Sequence, residues 1–186
     1  MTPRTDSRQR FLDAAADLFH TQGYHATGVN QLVSAGGAPK GSFYFHFPGG
    51  KEQLAAEAVV QSADALRTLL EAALESGDID GVFTALGTML TDSNFQRGCP
   101  IATIALDAGD SEPIREACAT GFDTWRTAID DFLRAKGIPR ERARELSLVA
   151  LAMLEGGLLL ARTRRDLTPL RAVADHLRAT LEQELS

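Results

Sequence analysis

The chain has 186 residues, 44% of them hydrophobic, and carries a formal net charge of −6. This length and apolar content allow a sizeable core, so an intrinsically disordered protein is excluded. The acidic total argues against a protein that coats nucleic acid indiscriminately.

The charge is distributed unevenly along the chain. Residues 1–52 hold five Lys or Arg against four acidic residues, whereas the remainder holds 14 against 21. The basic groups that an anionic partner would need are therefore expected near the amino end.

The cysteines and the apolar runs bear on the cellular compartment. Cys99 and Cys118 lack a C-x-x-C spacing, and no secretory signal is visible, so we expect reduced thiols in a cytoplasmic protein. The most apolar run, residues 146–161, is interrupted by Glu155 and is shorter than the ~20 residues of a membrane span. We therefore expect no membrane association.

Apolar residues at helical spacing predict a first helix that follows a polar start over residues 1–7. Gly23 suits its C-terminal cap, since glycine readily adopts positive φ. The residues that set the spacing are Phe11, Leu12, Ala15, Leu18 and Phe19. This helix is expected to support the two short helices that follow.

The stretch TGVNQLVSAGGAPKGSFYFHFPGGK, residues 27–51, contains two short helical patterns around a glycine turn. The first helix should start at Thr27, a residue type that caps helices, and bury Val29, Leu32 and Val33. Gly36 and Gly37 allow the positive φ angles of a tight turn, and Pro39 suits the first turn of the next helix.

The second short helix is predicted from Pro39 to Phe47, with two distinct faces. Phe43 and Phe47 share a face that suits a core, while Lys40 and Tyr44 share another. A helix that presents a cation, a glycine, a hydroxyl and a phenol fits the major groove of DNA. The alternative is an ordinary helical bundle whose aromatic residues all lie in the core.

Two neighbouring positions extend this prediction. Lys51 opens the following helix, where an amine beside free N–H groups would hold a phosphate. His46 either binds a phosphate or is a plain surface residue. The predicted DNA contacts are Thr27, Lys40, Gly41, Ser42, Tyr44, His46 and Lys51.

The sequence pattern predicts further helices in the rest of the chain. A long apolar stripe predicts a helix from Lys51 to Ser76, ended by Gly77, and caps place later helix starts near Ser111, Pro139 and Thr168. No strand pattern occurs, so we predict an all-α protein of about nine helices. Residues 1–52 would form a three-helix DNA-binding domain, and residues 53–186 an effector-binding and dimerisation domain.

The motif resembles the DNA-binding domain of the TetR family of bacterial repressors. The similarity runs from about Arg8 to Leu54, and the strings GSFYFHFPGGKEQL and Gly98-Cys99-Pro100-Ile101 resemble the LmrA/YxaF-like branch. Two departures are Pro39, where many relatives have a serine, and Phe45, where many have a tyrosine or histidine. This protein is therefore expected to hold DNA with fewer polar contacts.

A sensor region would need an apolar pocket among the middle helices. The candidates are Phe83, Leu86, Met89, Ile101, Ile104, Phe122, Trp125 and Met153. Each alone is more often plain core. Glu155, inside an apolar run, is expected to face water at the helix rim.

No catalytic or metal-ligand constellation is visible, so we expect no enzymatic activity and no cofactor. The resemblance implies a homodimer that binds a double-stranded DNA operator and releases it when a small apolar or aromatic effector binds. Gly156 and Gly157 would allow close helix pairing at the dimer interface; the alternative is a monomer core. A protein-binding adaptor without DNA binding and, less favoured, a helical enzyme remain alternatives.

Overall fold

We describe the fold from a computed structural model, in which residues 6–76 and 79–186 are described. Within these ranges the chain forms nine helices and no strand, which confirms the predicted all-α class. The helices are α1 (Asp6–Gln22), α2 (Val29–Ala35), α3 (Lys40–His46), α4 (Gly50–Glu75), α5 (Ile79–Asp92), α6 (Pro100–Asp107), α7 (Glu112–Ala135), α8 (Arg140–Arg164) and α9 (Thr168–Glu184).

The chain divides into two compact units. One unit contains residues 1–64 and 100–121, and the other contains residues 65–99 and 122–186. The segment 100–121, which includes α6, therefore packs with the amino-terminal helices. The predicted boundary at residue 52 separates a DNA-binding function from an effector-binding function and does not describe how the helices pack. It stays a prediction.

Some predicted helix boundaries coincide with caps, whereas α2, α3, α8 and α9 begin without a side-chain cap hydrogen bond. Ser111 Oγ accepts a hydrogen bond from the N–H of Ile114 at 3.4 Å and caps α7. Gly137 ends that helix region with φ +94, and Pro139 is the N-cap of α8. The predicted end of α4 at Gly77 lies outside the described residues.

Two predicted starts are corrected. Helix α1 already begins at Asp6, so Ser7 is helical instead of part of a loose start. Helix α2 begins at Val29 with Gly28 as its N-cap, two residues after the predicted start at Thr27. Thr27 does not cap α2 because its hydroxyl donates backwards, to the carbonyl of Gly23 at 2.7 Å.

The core of the first unit is built on aromatic rings that join α1 to α3. Phe11 lies edge-on to Phe43 at 5.5 Å between ring centroids and to Phe47 at 6.3 Å. Offset and edge-on geometries are those that aromatic pairs favour. Gly36 lies directly against Phe11, and a Cβ at this glycine would come within 2.3 Å of the ring. The α2–α3 turn is therefore held tightly onto α1.

In the second unit, α9 packs against both α8 and α5. One cluster of its core consists of Leu133, Ile138 and Ala143, with Phe132, Leu146 and Leu181 packed around it. Gly157 allows α8 to approach α9, since a Cβ there would lie 3.1 Å from Val173. These contacts leave a cavity between the helices, described below.

Candidate functional site

Helix α3 has one buried face and one exposed face. Phe43 and Phe47 are 0% exposed, whereas Tyr44 is 46% and Phe45 is 80% exposed. The aromatic residues of this short helix are thus divided between an anchor and an outer surface. This division is the one that the sequence predicts for the pair Phe43 and Phe47.

Lys40 and Gly41 lie on the exposed part of α3. The Nζ of Lys40 donates to Asn30 Oδ1 of α2 at 3.4 Å, so the two short helices present polar groups side by side. No atom lies within 4 Å of the position where a Cβ of Gly41 would stand. The backbone at Gly41 is therefore open to close approach from outside.

Ser42 and His46 face α1 more than they face solvent. Both are half-buried, His46 Nε2 lies 2.9 Å from Ser7 Oγ, and the Ser42 hydroxyl donates to Ser7 Oγ at 3.4 Å. These two side chains fix the orientation of α3 relative to the start of α1. Any contact that they make with DNA competes with this arrangement.

The side chain of Lys51 is held in place by hydrogen bonds within the protein. Its ammonium donates to the carbonyls of Tyr24 at 3.0 Å and Thr27 at 3.1 Å. Burial lowers the pKa of the ammonium, an effect that the nearby Asp107 opposes. Two of its N–H groups are thus occupied, and one is left from the three of an ammonium. The predicted phosphate contact of Lys51 stays a prediction, and this remaining N–H is the group that would make it.

Burial of the Thr27 side chain corrects the predicted contact between this side chain and DNA. Its side chain is 0% exposed, and its hydroxyl is used by the Gly23 carbonyl. A threonine buried in this way stabilises the turn between α1 and α2 and offers no side-chain group to DNA. The tertiary burial of a polar residue leaves no signal in local sequence spacing.

The segment 100–121 makes two polar contacts with the amino-terminal helices. Asp107 Oδ2 accepts a hydrogen bond from the backbone N–H of His25 at 2.8 Å, and the Ser111 hydroxyl donates to Glu52 Oε1 at 2.6 Å. Sequence reasoning missed both contacts because they join residues far apart in the chain. They attach α6 and its following turn to the helices around the predicted DNA surface.

The second unit contains an apolar cavity of about 120 Å³ between α4, α5, α7, α8 and α9. Among the described residues that line it, His176 and Thr180 carry the polar side chains. The other lining residues are Leu70, Leu74, Ile79, Val82, Phe83, Ile129, Phe132, Leu133, Leu146, Val149, Ala150, Met153, Leu154, Leu177 and Leu181. Such a lining suits a small apolar molecule held by few polar groups.

Only part of the predicted pocket set lines this cavity. Phe83 and Met153 do, whereas the other predicted members, Leu86, Met89, Ile101, Ile104, Phe122 and Trp125, do not. Ile101 and Ile104 are buried in the first unit, where α6 packs against α1. Trp125 is 2% exposed and lies edge-on to Phe122 at 5.6 Å, as a core residue. The sequence alone did not reveal which helices meet around the cavity.

Glu155 is half-buried with its Oε1 enclosed by the protein, which corrects its expected place at a hydrated rim. Its Oε1 has no hydrogen-bond partner among the described residues. Burial raises the pKa of the carboxyl to about 7, while a hydrogen bond with the buried thiol of Cys99 acts in the opposite direction. Its apolar surroundings therefore favour the neutral acid.

Comparisons with known proteins match both parts of the chain. Residues 11–58 match the profile "Bacterial regulatory proteins, tetR family", and residues 77–176 match "Transcriptional regulator LmrA/YxaF-like, C-terminal domain". The helix-turn-helix and the helical region after it thus define a DNA-binding transcriptional regulator. The chain belongs to the TetR family of bacterial regulators and has an LmrA/YxaF-like carboxyl-terminal domain.

Individual relatives are similar to this chain over nearly its whole length. The HTH-type transcriptional regulator LmrA of Bacillus subtilis (strain 168) is 40% identical over 89% of this chain and 91% of the relative. The uncharacterised regulator YxaF of the same organism is 37% identical over 95% of this chain and 96% of its own. The crystal structure of a TetR regulator from Chloroflexus aurantiacus is 31% identical, with a TM-score of 0.76 over 96% of this chain and 95% of that chain.

Proposed function

We propose that the protein is a homodimeric, ligand-responsive transcriptional repressor that places α3 in the major groove of an operator. The observation that carries this proposal is the division of α3 into a buried aromatic face and an open face. A short helix held from behind in this way is the reading element of helix-turn-helix proteins. Because such a protein acts on the bacterial chromosome, its place is the cytoplasm.

The DNA contacts follow from the exposed groups of α3. Lys40 donates to phosphate or to a guanine edge, and Tyr44 bonds phosphate or a base through its hydroxyl. Gly41 lets the helix backbone approach the groove, since nothing stands within 4 Å of its missing Cβ. The remaining N–H of Lys51 supplements these contacts, whereas Thr27 holds the preceding turn from inside.

The exposed apolar face of α8 supports a two-fold dimer. Leu148 is 59%, Leu159 is 58% and Leu160 is 50% exposed, and Ala152 and Gly156 lie between them on the same helix. Leucines exposed beside small residues suit the close packing of a second helix, and an isologous pair buries the patch on both subunits. By length and composition alone α8 would also suit a membrane span, but a dimer hides the same face without a bilayer.

Each subunit of such a dimer presents one α3. Two copies related by a two-fold axis fit successive major grooves about 34 Å apart on a pseudo-palindromic site. The operator is therefore expected to be an inverted repeat.

The effector is a small apolar or aromatic molecule bound in the cavity of the second unit. A volume of about 120 Å³ is close to the ~150 Å³ of an engineered apolar cavity that binds benzene. A single-ring compound therefore enters with little rearrangement, with its polar group directed to His176 or Thr180. A larger effector has to displace the surrounding helices.

That displacement is the proposed release mechanism. Helix α4 contributes Leu70 and Leu74 to the cavity and begins at Gly50, next to α3 in the chain. An effector that favours a shifted α4 moves the two α3 helices out of register with the operator. Couplings of about 1–3 kcal/mol are typical and suffice to release a site of poised affinity.

Selection of duplexes from a randomised DNA pool by the full-length protein tests the proposal. A repressor should enrich an inverted repeat and bind it with an affinity that falls linearly with log salt concentration. A protein-binding adaptor would enrich no sequence and show no such salt dependence. The absence of any enriched duplex would refute the proposed function.

The effector site is tested by adding single-ring aromatic compounds to the protein–operator complex. An effector should lower operator affinity and raise the melting temperature of the free protein. Ala150→Phe, which fills the cavity, should abolish both responses and keep operator binding. Ala119→Phe, at an exposed position of α7, serves as the control and should respond like the wild type.

A further inference from the structure

Phe45 stands opposite the anchor of α3. It is two residues from both Phe43 and Phe47, so it lies about 160° around the helix from each of them. Both of those rings are fully buried, and Phe45 is 80% exposed. Phe45 therefore points directly away from the protein, along the line on which α3 faces a partner.

No neighbour on α3 covers the Phe45 ring. The preceding residue on the same face, one turn earlier, is Gly41, which has no side chain. The ring of Phe45 makes an edge contact with the ring of His46 at 5.2 Å between centroids, which leaves its outer face open. A large apolar side chain at the centre of a polar recognition surface points to an apolar group on the partner.

In the major groove, an apolar group of this kind identifies one particular base. A phenyl ring has no hydrogen-bonding atom, so it cannot pair with the N7, O6, N6 or N4 atoms of the base edges as a polar side chain does. The C5-methyl of thymine is the apolar group that the groove presents, and Phe is among the side chains that contact it. A ring at the centre of the outer face reaches this methyl as the groove floor approaches α3.

We propose that Phe45 is a specificity-determining residue that packs on the C5-methyl of one thymine in each operator half-site. The inference rests on the proposed function, since it requires α3 to lie in the major groove. It assigns a base preference to a residue without polar atoms, which the predicted set of DNA contacts omitted. Each half-site then has one thymine whose replacement is penalised through its methyl alone.

The experiment uses a duplex enriched by the wild-type protein, in which each dT is replaced by dU in turn. The wild type should lose about three- to fivefold in affinity at one thymine of each half-site, the factor expected for one buried methyl group. Phe45→Ala should bind the dT duplex more weakly and bind the dT and dU duplexes equally. Leu106→Ala, which removes another exposed apolar side chain of the same unit, should keep the wild-type response.

The outcomes separate this inference from the function on which it rests. If no duplex is enriched, the proposed function fails, and this inference fails with it. If a duplex is enriched but the wild type tolerates every dU, Phe45 does not read thymine. If Phe45→Ala keeps the same dU penalty as the wild type, another residue contacts the methyl. In the last two cases the repressor assignment stands. Equal melting temperatures of Phe45→Ala and the wild type show that an affinity loss is not a folding defect.

Discussion

Lys51 and Tyr24 are joined twice. The ammonium lies 4.0 Å from the centroid of the tyrosine ring and also donates to the carbonyl of the same residue at 3.0 Å. Together with the bond to Thr27, these contacts tie the first turn of α4 to the turn between α1 and α2. A lysine in a DNA-binding domain thus has a structural role beside any contact with phosphate.

Lys51→Ala should therefore lower the free energy of unfolding by about 1–3 kcal/mol, because two carbonyls lose their charged donor. Urea unfolding monitored by circular dichroism measures this loss. Lys40→Ala is the matched control, since Lys40 is exposed and makes one long bond to Asn30. The control should unfold like the wild type but bind DNA with a salt slope smaller by about 1. Equal stability of Lys51→Ala and wild type would contradict the structural role of Lys51.

Two glycines of the helix-turn-helix should respond in opposite ways to alanine. Gly36→Ala places a Cβ 2.3 Å from the Phe11 ring and should destabilise the domain strongly. Gly41→Ala meets no atom within 4 Å and should stabilise α3 by up to about 1 kcal/mol, since alanine favours helices. It should nevertheless weaken operator binding, because the methyl group prevents close approach to the groove. Thermal melts and operator titrations of both variants measure these effects. Unchanged operator binding by Gly41→Ala would show that the backbone at Gly41 does not lie against the major groove.

Glu155 predicts a pH dependence of stability. Its carboxyl pKa is raised from 4.5 to about 7 by burial, so the folded state holds a proton that the unfolded state releases above pH 4.5. The wild type should lose stability as pH rises from about 4.5 to 7 and little beyond. Glu155→Gln removes this loss. The free energy of unfolding of the variant, relative to that of the wild type, should therefore rise by about 2–3 kcal/mol when the pH is raised from 5 to 8. Urea unfolding at both pH values, at one protein concentration, checks it; a constant difference would show that Glu155 ionises freely.

The exposed face of α8 predicts how the oligomer responds to charge. Leu159→Glu should convert the proposed dimer into a monomer, because two carboxylates would meet at the contact that this dimer buries. Sedimentation velocity measures the change, and operator affinity should fall with it. Leu106→Glu puts the same charge on another exposed leucine, at 84% exposure, and should leave the dimer intact. A Leu159→Glu variant that sediments like the wild type would refute the proposed interface.

Local periodicity was enough to predict the two faces of α3. Phe43 and Phe47 are one turn apart, so their shared face follows from helix geometry alone. The roles of Lys51 and Thr27 did not follow, because they depend on carbonyls of the α1–α2 turn. The partners of Lys51 are 24 and 27 residues away, so they leave no local spacing to recognise, and the burial of Thr27 depends on tertiary packing.

The cavity was harder to predict for the same reason. An apolar helix residue lines a cavity only if the surrounding helices leave space there, and periodicity does not specify which helices meet. Met153 and Trp125 lie in similar apolar stripes, but only Met153 lines the cavity. Ile101 and Ile104 were assigned to the sensor region, whereas α6 packs with the amino-terminal helices. The charge state of Glu155 likewise depends on burial that its sequence neighbours do not determine.

The most direct test of the account is a titration of the enriched operator with wild-type protein and with Tyr44→Ala. Tyr44 is 46% exposed on the outer face of α3, so its removal should leave the melting temperature and the dimer unchanged. Tyr44→Ala should lose at least about tenfold in operator affinity, the scale of one direct contact in such interfaces. Operator affinity equal to that of the wild type would contradict the claim that this face of α3 touches DNA.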